Sequence, residues 1–341
     1  MLQDKTNNRI VIWLLSGCFL IFSMVVIGGI TRLTGSGLSI TEWNVIMGTL
    51  PPMNQQEWEI AFEKYRQIPQ YTEVNSYFSL EDFKAIFWWE YIHRLVGRLI
   101  GIVFIIPFLW FLFTRQFDRT MLKKALFLFL LGGLQGFLGW FMVKSGLAER
   151  TSVSHIRLAI HLCTAFITFG FTFWFALQLL EPPAAGPDRQ YVRRLSVVFL
   201  FVLGLQLAYG AFVAGLHAGK MYNTFPLMNG QVLPDSAWMS DWGASNLIEN
   251  PGMVQWVHRF LAFTLVFLAS WILISSRGSG STISQRTAVR FLAAAIGLQF
   301  ILGMLTVLYH APIFLSSVHQ IGAFFLFASA LLLVFRFRKT A

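Results

Sequence analysis

Eight stretches of this chain are each long and apolar enough to cross a lipid bilayer, and that repetition limits the fold more than any other feature. Crossing about 30 Å of hydrocarbon as a helix takes roughly 20 apolar residues. The runs at about 10–30, 86–113, 125–143, 156–179, 195–215, 254–275, 291–309 and 317–335 meet that length. In lipid every backbone polar group needs an internal partner, so such runs must be helical. Of 341 residues, 56% are hydrophobic and 12% charged, about half the charged share of an ordinary soluble domain. The chain therefore reads as an all-α polytopic membrane protein with eight transmembrane helices.

The net charge of +10 would suit a nucleic-acid binder only if the cations were gathered on one surface, and their placement points elsewhere. With the N-terminus inside, one face collects Lys5, Arg9, Arg115, Arg119, Lys123, Lys124, Arg189, Arg193, Arg194, Arg277, Arg286, Arg290, Arg336, Arg338 and Lys339. The long loop on the other face, from Thr31 to Lys84, is instead acidic, with Glu42, Glu57, Glu59, Glu63, Glu73, Glu81 and Asp82. This positive-inside pattern places both termini in the cytoplasm and makes the lipid bilayer, not nucleic acid, the partner. Cys18 and Cys163 both fall inside spans, so neither a disulfide framework nor a redox pair is on offer. The first apolar run has no small-residue cleavage site and no Arg/Ser-rich stretch precedes it, which points to a bacterial inner membrane.

Span one runs into Gly28-Gly29-Ile30-Thr31-Arg32-Leu33-Thr34-Gly35-Ser36-Gly37-Leu38-Ser39, where glycines and hydroxyls predict the end of the helix. The loop beyond it carries Trp43, Pro51, Pro52, Trp58 and Tyr65, too many aromatics for a disordered linker. A short amphipathic helix near 55–66, lying on the membrane surface, is expected there.

The chain also repeats itself. Leu134-Gln135 with Gly139 in span three matches Leu298-Gln299 with Gly303 in span seven, and His93 and His258 precede the two glutamines by 42 and 41 residues. Tyr209-Gly210-Ala211-Phe212-Val213-Ala214-Gly215 ends span five as the glycine-rich exit ends span one, and the loop after it again carries aromatics and prolines (Tyr222, Phe225, Pro226, Pro234, Trp238, Trp242). His161 and His319 are each followed by Ala-Phe at the same offset. The organisation expected is a four-helix half over 1–180, a cytoplasmic linker over 181–194 centred on Glu181-Pro182-Pro183-Ala184-Ala185-Gly186-Pro187, and a second half over 195–341, as two pseudo-symmetric bundles of parallel topology.

Four of the seven histidines, His93, His161, His258 and His319, fall at matching positions on even-numbered spans. All four lie in the outer third to half of the membrane. A single histidine in a span is commonly a hydrogen-bonding link between helices, but two facing imidazoles in each half form a site for haem iron. Arg94 and Arg259, next to His93 and His258, could meet the propionates. No Cys, Asp or further His completes a zinc or copper shell around either pair. His155, His217 and His310 read as outer-surface or entrance residues.

The halves differ at one telling place. Glu90 precedes His93 by three residues and shares its face, whereas the second half has Gln255. A buried acid in one half only suits proton transfer or charge stabilisation on something bound there; the plainer reading is an ion pair with Arg94 or Arg98. Gln255 also suggests that an amide would be accommodated at Glu90.

Glu90-Tyr91-Ile92-His93-Arg94, the Gly29 to Ser39 motif, Val257-His258-Arg259 and Val318-His319-Gln320, in this order on eight spans, resemble the haem A synthase family over nearly the whole chain. The resemblance implies oxidation of the C8 methyl of haem O to the formyl of haem A, for assembly of haem-copper terminal oxidases. It implies a resident haem b held by His258 and His319, a substrate site for haem O at His93 and His161, and Glu90 as the acid beside the substrate. It further implies haem O synthase as a functional partner and an electron acceptor that the sequence does not identify. Many bacterial members carry a cysteine pair in the first outer loop; this chain has none and looks like the mitochondrial-type branch. Two other readings remain open on the residues alone: a di-haem, cytochrome b-like carrier of electrons from quinol, and a non-enzymatic haem carrier.

Overall fold

The computed structural model describes residues 2–42, 49–149, 151–180, 189–277 and 280–338, with backbone alone for 2–6, 145, 148 and 149. Trp43, the proline-rich segment 181–187 and Lys339 lie outside the described residues, as does the side chain of Lys5. Ten α-helices form the described chain: α1 (Leu2–Leu33), α2 (Gln55–Tyr65), α3 (Leu80–Phe113), α4 (Arg119–Glu149), α5 (His155–Leu180), α6 (Gln190–Gly215), α7 (Asn246–Glu249), α8 (Pro251–Ser275), α9 (Ile283–Leu308) and α10 (Ile313–Arg336). Eight of them, all but α2 and α7, are long and apolar enough to span a membrane. The protein is all-α and polytopic. It divides into two compact units, Met1–Thr172 and Phe173–Ala341.

Several helices begin earlier than hydropathy alone predicts, because polar capping extends them past the hydrocarbon. α3 starts at Leu80, where the Ser79 hydroxyl accepts from Asp82 N–H (3.3 Å) and the Asp82 carboxylate accepts from Ser79 N–H (2.9 Å). α9 starts at Ile283 through the same reciprocal cap between Thr282 and Gln285, which satisfies two orphan donors of the first turn. The outward faces of the spans are apolar: Phe19, Ile106, Phe113 and Phe201 are among the large exposed side chains, as expected where lipid is the solvent.

In the first unit α1 packs along α3. α1 ends at Leu33, inside the glycine- and hydroxyl-rich stretch from Gly28 to Ser39, as expected. The Thr31 hydroxyl donates to Ile27 C=O (2.9 Å) and that of Thr34 to Ile30 C=O (2.8 Å), so both hydroxyls find partners within the helix. The chain turns only at Gly35, whose φ of +69° is readily open to glycine. α2 is present as expected, but the faces of Trp58 and Tyr65 are buried against protein. They join Leu38, Phe83, Ile86, Phe87 and Val153 in an aromatic cluster on the outer end of α3. A hydrogen-bonded chain fastens this cluster to the α1 exit: Asn75 Nδ2 donates to Tyr65 Oη (2.8 Å), Tyr65 Oη to Gln70 Oε1 (3.3 Å), and Gln70 Nε2 to Gly35 C=O (2.8 Å). Burial in this cluster raises the Tyr65 phenol above its ordinary pKa.

In the second unit α6 packs on α8 and α9 on α10. Val192, Ser196, Phe199, Leu203, Leu207, Ala211 and Gly215 form the buried stripe of α6 at helical spacing. α6 turns out at His217, whose φ is +54°. The loop that follows is pinned by Asn246, whose side chain exchanges hydrogen bonds with the backbone of Met239. Asn250 then caps α8 by accepting from Gly252 N–H (2.9 Å).

Candidate functional site

In the first unit His93 on α3 and His161 on α5 lie within Coulombic range of each other, and in the second His258 on α8 lies within range of His319 on α10. All four residues are half-buried. Each stands against a glycine on a neighbouring helix. A Cβ built at Gly28 would lie 3.0 Å from His93 Nε2, and one at Gly303 2.9 Å from His319 Cε1; those at Gly139 and Gly210 would lie 3.4 Å from Cε1 of His161 and His258. At Gly303 and Gly28 a side chain would push on the ring, and at Gly139 and Gly210 its Cβ would just meet it, so the glycines act as seats for the imidazoles. Gln135 Nε2 donates to the His161 backbone carbonyl (3.3 Å), and Gln299 Nε2 to that of His319 (3.0 Å). The Leu-Gln and Gly matches between spans three and seven thus mark, inside each unit, the contacts that hold the second histidine of a pair. Reading the sequence found these residues as a repeat but gave them no task.

The buried Nδ1 atoms of His161, His258 and His319 have no hydrogen-bond partner, which is uncommon for buried polar atoms. At His258, Gln206 Nε2 lies 3.3 Å from Nε2. The two ring nitrogens of His258 thus differ in surroundings, Nε2 facing the Gln206 amide and Nδ1 facing no partner. Among the described residues no three His, Cys, Asp or Glu side chains gather; the imidazoles come in twos, the number of axial ligands an iron macrocycle takes. Paired imidazoles, glycine seats that keep the space beside them open, and orphaned ring nitrogens fit a haem in each unit.

One turn outward of His93, Glu90 is 2% exposed. Four donors converge on its carboxylate. Ser39 Oγ (2.7 Å) and Ile40 N–H (2.8 Å) donate to Oε2, and Arg94 Nε (3.1 Å) and Nη2 (2.7 Å) donate to Oε1. Arg94 also donates to the carbonyls of Ile40 (2.8 Å) and Glu42 (2.7 Å). The ion pair weighed from the sequence is therefore present, with Arg94. It ties the segment after α1 down onto α3. In the second unit Gln255 is likewise 2% exposed, and its Nε2 donates to Tyr222 C=O (2.9 Å). Arg259 donates to Tyr222 C=O (2.7 Å) and Thr224 C=O (2.8 Å). Here too a loop is tied to a helix, but the amide meets an acceptor where Glu90 meets donors. Gln255 is consequently no precedent for an amide at Glu90, contrary to what the pattern alone suggested.

Of the remaining histidines, His217 and His310 are exposed as expected. His155 is not a surface residue: it is 7% exposed, because it opens α5 beneath the outer loop, where Val153 enters the aromatic cluster.

The fold and the paired imidazoles define a class: polytopic all-α membrane proteins with paired histidines on their spanning helices. Within that class the match is specific. The model of the COX15-CtaA family, described as cytochrome oxidase assembly protein, matches residues 11–331, and the chain belongs to this family. It is similar to the heme A synthase of Flavobacterium johnsoniae, 42% identical over 99% of this chain and 100% of that relative. The heme A synthase of Nitrosomonas eutropha is 44% identical over 97% of this chain and 95% of its own length. That of Rhodospirillum centenum is 46% identical over 93% and 85%.

Proposed function

We propose that this protein is an oxidoreductase that converts haem O to haem A for terminal oxidase assembly. The observation that carries this reading is the pair of imidazole sites, each ring seated on a glycine, in a chain that matches heme A synthases end to end. His93 and His161 receive haem O; His258 and His319 hold a resident haem b. When bound, that cofactor supplies one-electron transfer toward an acceptor outside the chain. The C8 methyl is hydroxylated twice, each step taking its oxygen from water and releasing two protons and two electrons to that acceptor, and the resulting gem-diol loses water to give the formyl group.

The residues of this chain divide the remaining work. The four imidazoles hold and orient the two macrocycles. Glu90 is the acid of the substrate unit, placed to stabilise positive charge that develops nearby. The two units are pseudo-symmetric four-helix bundles, the first for substrate and the second for cofactor. The chain lies in a bacterial inner membrane with both termini in the cytoplasm, and haem O synthase supplies its substrate.

The test is pigment analysis. Cells that make haem O and express this chain should yield formyl-bearing haem, with hydroxymethyl haem as the intermediate. Haem O recovered unchanged beside a normal resident haem would favour the electron-carrier reading instead.

A further inference from the structure

A cleft of about 230 Å³ opens in the first unit between α3, α4 and the segment after α1, lined by Thr41, Glu42, Arg94, Trp140, Val143, Lys144 and Leu147. Its position follows from α4. Gly139 seats His161, Trp140 is the next residue, and Lys144 lies five residues further toward the outer surface, about 7.5 Å along the helix axis. The cleft therefore lies on the outer side of the imidazole site, its Arg94 and Trp140 next in the chain to His93 and to the glycine that seats His161.

The charges around it are already matched, with one exception. Arg94 lies 2.7 Å from Glu90, and Glu42 lies 2.6 Å from Lys64. Lys144 has no carboxylate partner among the described residues; its ammonium lies 4.9 Å from the centroid of the Trp140 ring. At the place in the second unit that corresponds through the Gly139 and Gly303 match stands Leu308. The matching position of the second unit therefore carries no cation.

We propose that Lys144 is the carboxylate-binding residue of the substrate unit and pairs with a propionate of haem O, with Trp140 as the apolar wall of the same cleft. The assignment rests on the reading of the first unit as the substrate site and deepens it. It takes from Arg94 the part the sequence suggested, since the donors of Arg94 are engaged by Glu90 and by the carbonyls of Ile40 and Glu42. A lysine on a flexible stem also suits a ligand that must leave as product, whereas a planar guanidinium already held in a fork does not.

The experiment compares haem O with its propionate dimethyl ester, using full-length protein in nanodiscs with the resident haem in place. Binding is followed by absorbance, so no turnover is needed. Lys144→Ala should weaken haem O binding by roughly three- to tenfold, the worth of a partly exposed charge-assisted contact, and leave ester binding unchanged. Lys144→Arg should retain most of the affinity for the free acid. The resident haem spectrum, expected to be normal in both variants, reports folding. Equal weakening for acid and ester, or no change for either, would overturn the assignment. So would an effect that depended only on anionic lipid in the disc, because Lys144 would then be serving a headgroup. A protein that binds haem O with this charge dependence but never oxidises it would refute the synthase reading and leave the binding site standing.

Discussion

Glu90→Gln is the substitution on which the structural and catalytic readings of the first unit separate. The side chains of Glu90 and Arg94 are 3% and 11% exposed, so this is a buried pair, and removing one partner of such a pair typically costs about 3–5 kcal/mol. The amide has two ways to sit. With its oxygen toward Arg94, its NH₂ faces Ser39 and Ile40. Ser39 can rotate to accept, turning its own proton to Ile86 C=O at 3.4 Å, but Ile40 N–H loses its acceptor. With its oxygen toward Ile40, the NH₂ meets Nε and Nη2 of Arg94, donor against donor. The first arrangement costs less. Since Arg94 keeps the Ile40 and Glu42 carbonyls, we place the loss at the low end of the range, about 3 kcal/mol.

The assay is thermal unfolding of the full chain in detergent, run beside extraction of haems from the expressing cells. Glu90→Gln should melt lower than the parent, keep the resident haem, and accumulate haem O. Arg94→Gln in the same background should recover much of the stability, because the unpaired buried cation is then gone. Conversion should not return with it. If the double variant regains haem A, the carboxylate serves only to balance Arg94 and its catalytic assignment fails. If Glu90→Gln melts like the parent, the convergence of four donors does not stabilise the protein and the energetic reasoning fails.

Other expectations follow from the same geometry. His258→Ala and His319→Ala should abolish the reduced-minus-oxidised absorption of the resident haem, whereas His93→Ala and His161→Ala should keep it and lose product; equal loss in all four would overturn the division between units. Gly303→Ala places a methyl 2.9 Å from the His319 ring and Gly210→Ala one 3.4 Å from the His258 ring. The first should shift the low-spin electron paramagnetic resonance signal or lower haem content and the second should do so much less, so identical spectra would show that the glycines are not seats. Arg259→Ala should lower thermal stability by about 1–3 kcal/mol, as the carbonyls of buried Tyr222 and of Thr224 lose a charged donor; an unchanged melting point would show that the loop is held elsewhere.

The residues that were legible in the sequence are those whose cost in lipid is unavoidable. Eight apolar runs, four histidines at repeated positions and a lone acid each stand out against a hydrocarbon background that rejects them. The helix ends were less legible, because capping by Ser79 and Thr282 extends α3 and α9 beyond the apolar runs that hydropathy sees. The purpose of Gly28 was hidden for a related reason: it stands where it does because His93 needs the room. Glycine carries no side chain by which its purpose could be read, so its role emerges only when the facing ring is known. The amphipathic pattern of α2 was visible, but not that its apolar face would meet α3, since period alone does not distinguish protein from lipid.

The two loop-to-helix ties explain why an acid on one side and an amide on the other need not mean that one is functional and the other vestigial. Each unit must fasten an outer segment over the histidines, and each uses an arginine four residues beyond the variable position to reach the backbone carbonyls of that segment. Where the segment also presents donors, as Ser39 Oγ and Ile40 N–H do, the partner must be acceptor-only, and a carboxylate is required. Where it presents the Tyr222 carbonyl, the partner must donate, and an amide serves. The choice at Glu90 and Gln255 is thus dictated first by which backbone groups the loop turns inward. Whatever charge chemistry Glu90 performs on substrate is added to that requirement, so the loop sequence from Gly35 to Ile40 and the acid on α3 have to change together or not at all. Replacing Ser39 with Ala and Glu90 with Gln at once, which leaves Ile40 N–H as the loop's donor, should therefore cost less stability than the sum of the two single changes, because the Ser39–Glu90 hydrogen bond is lost only once.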